Sequence, residues 1–403
     1  MQAGLFSQDD RRIDEEIEMA EALVSPEVLR WARERAAIPV DAVAEKLKTD
    51  TAKVLAWEEG AARPTFKQAE KIAAFFHIPF GFLFLPEPPV ETLPIPDLRT
   101  RDGMPREGFS ADVLDLLRDV MFKCDWYRDY LENHGAEPLP FVGKWPADAP
   151  AEVVAEDINA VLGTNPGEFA TGTWEQHLSH LFDRCEDVGI WVMRTGYVGS
   201  NTRRTLNVSD FRGFAIADKL APLIFINGRD AKAAQAFTLA HELAHIWLGK
   251  SGVSDPYLNR AGDHETGVER KCNAIAAEVL VPRRLFLVGW DGRQSLAWNA
   301  QALSQRFKVS RVVIARRALD CGKITWDEHQ AFFEQEKRGW QKQDDSSGGN
   351  FYATAPVKNG KRFTRAVVHS AMSGDLMLRD AGSLLHMKPV TVQKLYARNS
   401  VGL

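Results

Sequence analysis

In "HELAHIWLG", residues 241–249, two histidines stand four apart and a glutamate directly follows the first. On a helix this spacing puts His241 and His245 about 40° and one turn apart, so both imidazoles can take corners of a metal tetrahedron. Glu242 lies about 100° round from His241, where it flanks such a metal without ligating it and is placed to accept a proton from water. Zinc lowers the pKa of water to about 7, within reach of a carboxylate that completes the deprotonation. The surrounding helix is apolar on nearly every side (Ala240, Leu243, Ala244, Ile246, Trp247, Leu248), which predicts burial. Polar side chains buried without partners are costly, so two histidines and a glutamate there call for a common one. Zn2+ is the expected cofactor.

A third protein ligand leaves one position open for water. The downstream candidates are Asp255, His264, Glu265, Glu269, Cys272 and Glu278. Glu269 and Asn273 in "ERKCNAIAAEVLVP" are four apart and share a helix face, so Glu269 can bind metal. Asn273 can then steady a histidine's second nitrogen or the carboxylate. Glu278, nine residues on from Glu269, faces the opposite way, and Glu265 precedes Gly267, outside the helix. Cys272 reads as a small core residue. Glu269 is the choice.

These residues need elements to hold them. Strand-like runs "GIWVM", "RGFAIA" and "PLIFIN" precede the long helix "DAKAAQAFTLAHELAHIWLG", and Pro282 ends the helix after it. "PEPPVETLPIP" holds five prolines in eleven residues and reads as a stiff linker, and the polar "QKQDDSSGGN" reads as a second. The expected fold is α+β and multidomain. Its parts are an acidic N-terminal segment (1–25), an all-α domain (26–85), a Pro-rich linker (86–106) and a helical connector (107–187). A zinc domain with a small sheet and following helices (188–338), a polar linker (339–349) and a small basic C-terminal domain (350–403) complete it.

The run "FAIADKLAPLIFIN…FTLAHELAHIWLG…ERKCNAIAAEVLVP", with "LSQRFKVSRVVIARRAL" after it, resembles the ImmA/IrrE family of zinc metallo-endopeptidases over roughly residues 188–320. Asn227, Phe237 to His245, Glu269, Asn273 and Pro282 fall on that family's pattern, although Ile275 stands where a bulkier residue is common. The resemblance implies a reduced gluzincin-like domain with His241, His245 and Glu269 as ligands and Glu242 as general base. It also implies a specific repressor-like protein as substrate. Tyr257, Arg260 and His264 are candidates for stabilising an oxyanion, with no choice among them.

Residues 26–85 resemble an XRE-type helix-turn-helix, with Trp57, Glu58, Gly60 and Pro64 in the usual places and a recognition helix at about 51–59. Lys48 stands where such a turn commonly has glycine, and nine Lys/Arg against eight Asp/Glu leave little attraction for phosphate. Residues 351–403 reverse that balance, with eight Lys/Arg against two Asp/Glu, and "RDAGSLLHMKPVTVQKLYAR" reads as two helices joined near Met387–Pro389. Candidate nucleic-acid contacts are Thr51, Lys53, Arg63, Lys388 and Lys394.

The net charge of -5 argues against a wholly basic nucleic-acid coat protein. Four dispersed cysteines give neither a disulfide framework nor a cysteine zinc knuckle, and fit a reducing cytoplasm. No signal core and no membrane-length apolar stretch is seen, so no membrane partner is expected. His177 and His180 read as a partly solvated helix surface, and motifs for nucleotide or serine chemistry are missing. The expected partner is a specific protein substrate, with DNA and a homodimer also open. The runner-up function is a DNA-binding regulator or antitoxin of a toxin–antitoxin pair, its zinc domain serving to bind the partner.

Overall fold

In each of the three strand-like runs, apolar residues follow one another without polar alternation, the pattern of strands covered on both faces. The computed structural model, which describes residues 20–92, 95, 100–101, 104–105, 110–166, 172–254, 267–340 and 357–399, shows what covers them. The chain divides into two compact units, Met1–Thr92 and Leu93–Leu403.

The first unit has four helices, α1 (Pro26–Arg35), α2 (Val40–Leu47), α3 (Thr51–Glu58) and α4 (Phe66–Phe76), and a 3-10 turn at Phe80–Phe84. Ser25, Asp50 and Thr65 cap α1, α3 and α4, each accepting a backbone N–H two or three positions into its helix. Leu29, Trp57, Ile72, Phe76 and Leu83 form the core, and the buried Glu58 carboxylate accepts from the Arg33 guanidinium at 2.6 and 2.9 Å. This unit extends past the expected limits of 26–85. Ala22 and Val24 belong to its core, and Arg35 pairs with Glu91 at 2.8 Å. The first described residues of the expected acidic segment and of the Pro-rich linker are therefore parts of this fold.

In the second unit a short ladder joins β1 (Thr100–Arg101) to β2 (Met104–Pro105). Helices α5 (Ala111–Asn133), α6 (Ala151–Leu162) and α7 (Trp174–Asp187) follow, then strands β3 (Trp191–Thr195), β4 (Gly213–Ile216) and β5 (Leu223–Asn227). Helix α8 (Lys232–Trp247) leads to a further strand, β6 (Gly252–Ser254). The sheet order is β3-β5-β4-β6, with β3 and β5 parallel and the other neighbours antiparallel. Helices α9 (Gly267–Leu280), α10 (Arg283–Gly289), α11 (Leu296–Phe307), α12 (Arg311–Asp320) and α13 (Trp326–Trp340) come next. Helices α14 (Lys361–Ser373), α15 (Leu378–Leu385) and α16 (Pro389–Asn399) end the described chain, in which no helix is long and apolar enough to cross a membrane.

The strand period of two sorts side chains between two cores. Val192, Ala215, Ile224 and Ile226 pack with α8 and with residues of α6, α7 and α9–α13. Trp191, Met193, Phe214, Ile216, Leu223 and Phe225 pack on the other face, with residues of α5 and α14–α16. The Phe214 and Phe225 rings stack at 4.9 Å, and Trp191 stacks on Phe363 at 4.4 Å. Two expected boundaries are thereby corrected. The helices within 107–187 are walls of the two cores on either side of the sheet and not a connector. The basic tail is not a separate body either, because α14 covers one face of the sheet. Glu186, at the end of α7, accepts the Lys361 and Arg362 N–H groups at 2.9 and 2.7 Å and so ties down the start of α14. Gly360 has φ 82°, and a Cβ there would sit 2.4 Å from the Trp191 ring.

Several helix pairs share one turn geometry, among them α1 and α2, where Ala37 has φ 51° and Ile38 N–H bonds the Arg33 carbonyl. Lys48, Lys308 and His386 each end a helix in the left-handed region, with φ of 55°, 52° and 53°. The N–H of the next residue bonds the carbonyl five positions back (Thr49 to Ala44, Val309 to Ser304, Met387 to Gly382), a Schellman closure. The next helix starts three residues after the left-handed one, at Thr51, Arg311 and Pro389.

Candidate metal centre

Helix α8 is held at both ends. At its start, the buried Asn227 amide donates to the Phe211 carbonyl at 3.2 Å and its Oδ1 accepts from Arg229 N–H at 3.1 Å. Gln235 Nε2 donates to the Asp230 carbonyl at 2.6 Å. At its end, Asp157 of α6 accepts from the indoles of Trp247 (2.9 Å) and Trp145 (3.0 Å), and Gly249 leaves the helix at φ 65°. Residues 235–247 are all buried, so the polar groups among them face protein, as the apolar sequence predicted.

Helix α9 packs along α8 and brings its own polar residues to the histidines. His241 Nε2 and His245 Nε2 are 3.1 Å apart, and the Glu269 carboxylate lies 3.2 and 3.1 Å from them. Ligand atoms on a tetrahedral metal with bonds of about 2.0–2.1 Å are separated by about 3.3 Å. Asn273 Oδ1 lies 2.9 Å from His241 Nδ1 and accepts its proton, which leaves the Nε2 lone pair turned toward Glu269 and His245. Burial alone would raise the Glu269 carboxyl, but with the imidazoles protonated their charge and hydrogen bonds, His241 first, outweigh it and hold its pKa down to about 2. A divalent cation takes that place when both nitrogens are unprotonated. Two nitrogen lone pairs and a carboxylate converging in a buried space suit a divalent cation. Among the described residues, His241, His245 and Glu269 are the one such group with metal-ligating potential. They fit zinc.

Glu242 is fully buried beside this group. Gly213 of β4 lies against it: a Cβ at this position would meet Thr238 Cγ2 at 2.7 Å, the Phe225 carbonyl at 2.8 Å and Glu242 Oε1 at 3.0 Å. Gly213 belongs to no motif in the sequence, although a glycine inside a strand signals close approach by a neighbour. Gly213→Ala is expected to retain metal but lose at least about tenfold in turnover, because the added methyl meets a fixed carbonyl and pushes on the carboxylate. Metal analysis beside a cleavage assay checks this. Equal loss of metal and turnover would show that the residue supports the fold alone.

The other candidates fall elsewhere. Glu278 faces away from the histidines and pairs with Arg317 of α12. Cys272 is buried, which pushes its thiol well above the usual range, and it takes no place in the ligand group. His177 and His180 are half-buried on α7. Asp255, Tyr257, Arg260, His264 and Glu265 lie outside the described residues. Thr51, Lys53 and Arg63 are exposed in the first unit, and Lys388 and Lys394 are exposed in the second.

Against known families, residues 185–319 match the IrrE N-terminal-like domain, a metallopeptidase family whose members carry a metal, typically zinc. The segment contains every residue of the group above. Residues 359–398 match a domain of unknown function, DUF8813. No curated protein matches the chain.

Proposed function

We propose that this chain is a zinc-dependent endopeptidase that serves as a cytoplasmic regulator by cutting a specific, repressor-like protein. The observation that carries this reading is the buried His241–His245–Glu269 group with Glu242 on the same helix. Zinc bound by those three side chains would polarise a peptide carbonyl and lower the pKa of water. Glu242 takes the proton of the attacking water and passes it to the departing amine. Asn273 keeps His241 in the tautomer that offers Nε2. Gly213 lies against Glu242 and pairs with Ser254, so the edge of β6 that pairs with no strand among the described residues lies one strand spacing beyond Glu242. An extended substrate segment adding to that edge would pass the site.

An open protease would attack its neighbours, so selectivity must come from docking. Casein and other unfolded proteins are expected to be poor substrates of the zinc-loaded full-length chain. A genuine partner, captured with the Glu242→Gln protein, is expected to be cut at one or a few sites by the unaltered one. Cutting should fall when residues 1–90 are removed. Efficient casein digestion would sink the docking argument. Tight stoichiometric capture with no cut in any partner would turn the reading toward an antitoxin that uses its zinc domain to bind.

A further inference from the structure

Three of the helix pairs with the common turn differ in what their second helix presents. In α12, residues Val312 to Ala315, Arg317 and Ala318 are buried, so that helix is structural. In α3 the exposed positions are Thr51, Ala52, Lys53 and Leu55, followed by Glu59. In α16, Val392 and Leu395 anchor the helix in the core, while Val390, Gln393, Lys394 and Ala397 are exposed. Those four are spaced i, i+3, i+4 and i+7 and so form one face.

We propose that α15 and α16 are a DNA-reading helix-turn-helix, with α16 entering the major groove. Three observations support it, and none depends on the peptidase reading. The first is the turn: a Cβ on Gly382 of α15 would sit 2.7 Å from the Met387 carbonyl, so a buried glycine lets the two helices close tightly. The second is charge. No acid follows Asp380 in the sequence, whereas Lys388, Lys394 and Arg398 do, and among the described residues neither lysine is in an ion pair. The third is the chemistry of the face. A glutamine amide can pair with the adenine edge, a lysine with guanine or phosphate, and Val and Ala with a thymine methyl. A helix of 11 residues is about 16 Å long, enough to cross a groove about 12 Å wide.

The reader is also firmly mounted. Helix α14, which packs on both α15 and α16, sits on the sheet through Phe363 and starts on Glu186. DNA bound at α16 would therefore be held by the same body that carries the metal group. Deleting residues 351–403 cannot test this, because it strips the sheet of its cover. Point variants at exposed positions can.

Full-length protein is used to select from a pool of random-sequence duplexes, and binding is then followed by anisotropy at several salt concentrations. An enriched sequence is expected. Gln393→Ala should weaken binding to it by roughly 5–150-fold while leaving a scrambled duplex nearly unchanged. Lys388→Gln and Lys394→Gln should weaken both duplexes, and each should flatten the slope of log affinity against log salt by about 0.9. Lys53→Gln and Arg63→Gln should do less, and Glu242→Gln nothing, which separates this result from the fate of the peptidase reading. The proposal is overturned if the full chain enriches no duplex even at low salt, as a protein-docking face would behave. It is equally overturned if enrichment survives the α16 changes and is lost with Lys53 and Arg63.

Discussion

Glu242→Gln is expected to keep one zinc per chain and to lower cleavage by about 10²–10⁴-fold, the usual worth of a positioned general base. The amide matches the carboxylate in size, so the tight space beside Gly213 and Thr238 stays filled, while the group that takes the proton is gone. His241→Ala and Glu269→Ala should behave differently and empty the site, because a site with three protein ligands loses most of its affinity with one removed. Metal analysis of purified protein separates the two classes. Full occupancy in Glu269→Ala would strike Glu269 from the ligands. Unimpaired cleavage by Glu242→Gln would leave the proton transfer to another group.

The largest expected effect on stability lies outside the site. Glu278 and Arg317 form a buried ion pair between α9 and α12, and the second Glu278 oxygen accepts from Arg283 N–H at 3.0 Å, at the start of α10. One carboxylate thus joins three helices of the wall behind the metal group. Arg317→Met leaves that carboxylate buried without its cation and should cost about 3–5 kcal/mol, a fall in Tm of roughly 5–15 °C. Adding Glu278→Gln removes the stranded charge yet keeps an acceptor for Arg283, so the double variant should recover most of the loss. Thermal unfolding of the three proteins checks the claim. A single variant as stable as the parent would mean that the pair contributes nothing net.

What could be read from the chain followed from local periodicity. The spacing of His241, Glu242 and His245 puts all three on adjoining parts of one helix, whatever surrounds it. The same arithmetic set Glu269 and Asn273 on one face of α9 and turned Glu278 away, and the structure has Glu278 on Arg317. Unbroken apolar runs in the strands already implied cover on both faces. None of this could name the cover. Phe363 stacks on Trp191 across a separation of 172 residues, and Glu186 caps a helix that starts at Lys361. Such pairings depend on which surfaces meet after collapse, and no periodicity records them. Gly213 is the same kind of case, since its lack of a side chain matters only once α8 lies across β4. The basic tail read as a separate module because charge is a property of composition, whereas its apolar residues were committed to the sheet by packing. Local chemistry and helix faces were settled by the order of residues. The walls that bury the site, and the division of α3, α12 and α16 into exposed and buried helices, were decided by tertiary contact, because burial is a relation between segments and not a property of either one.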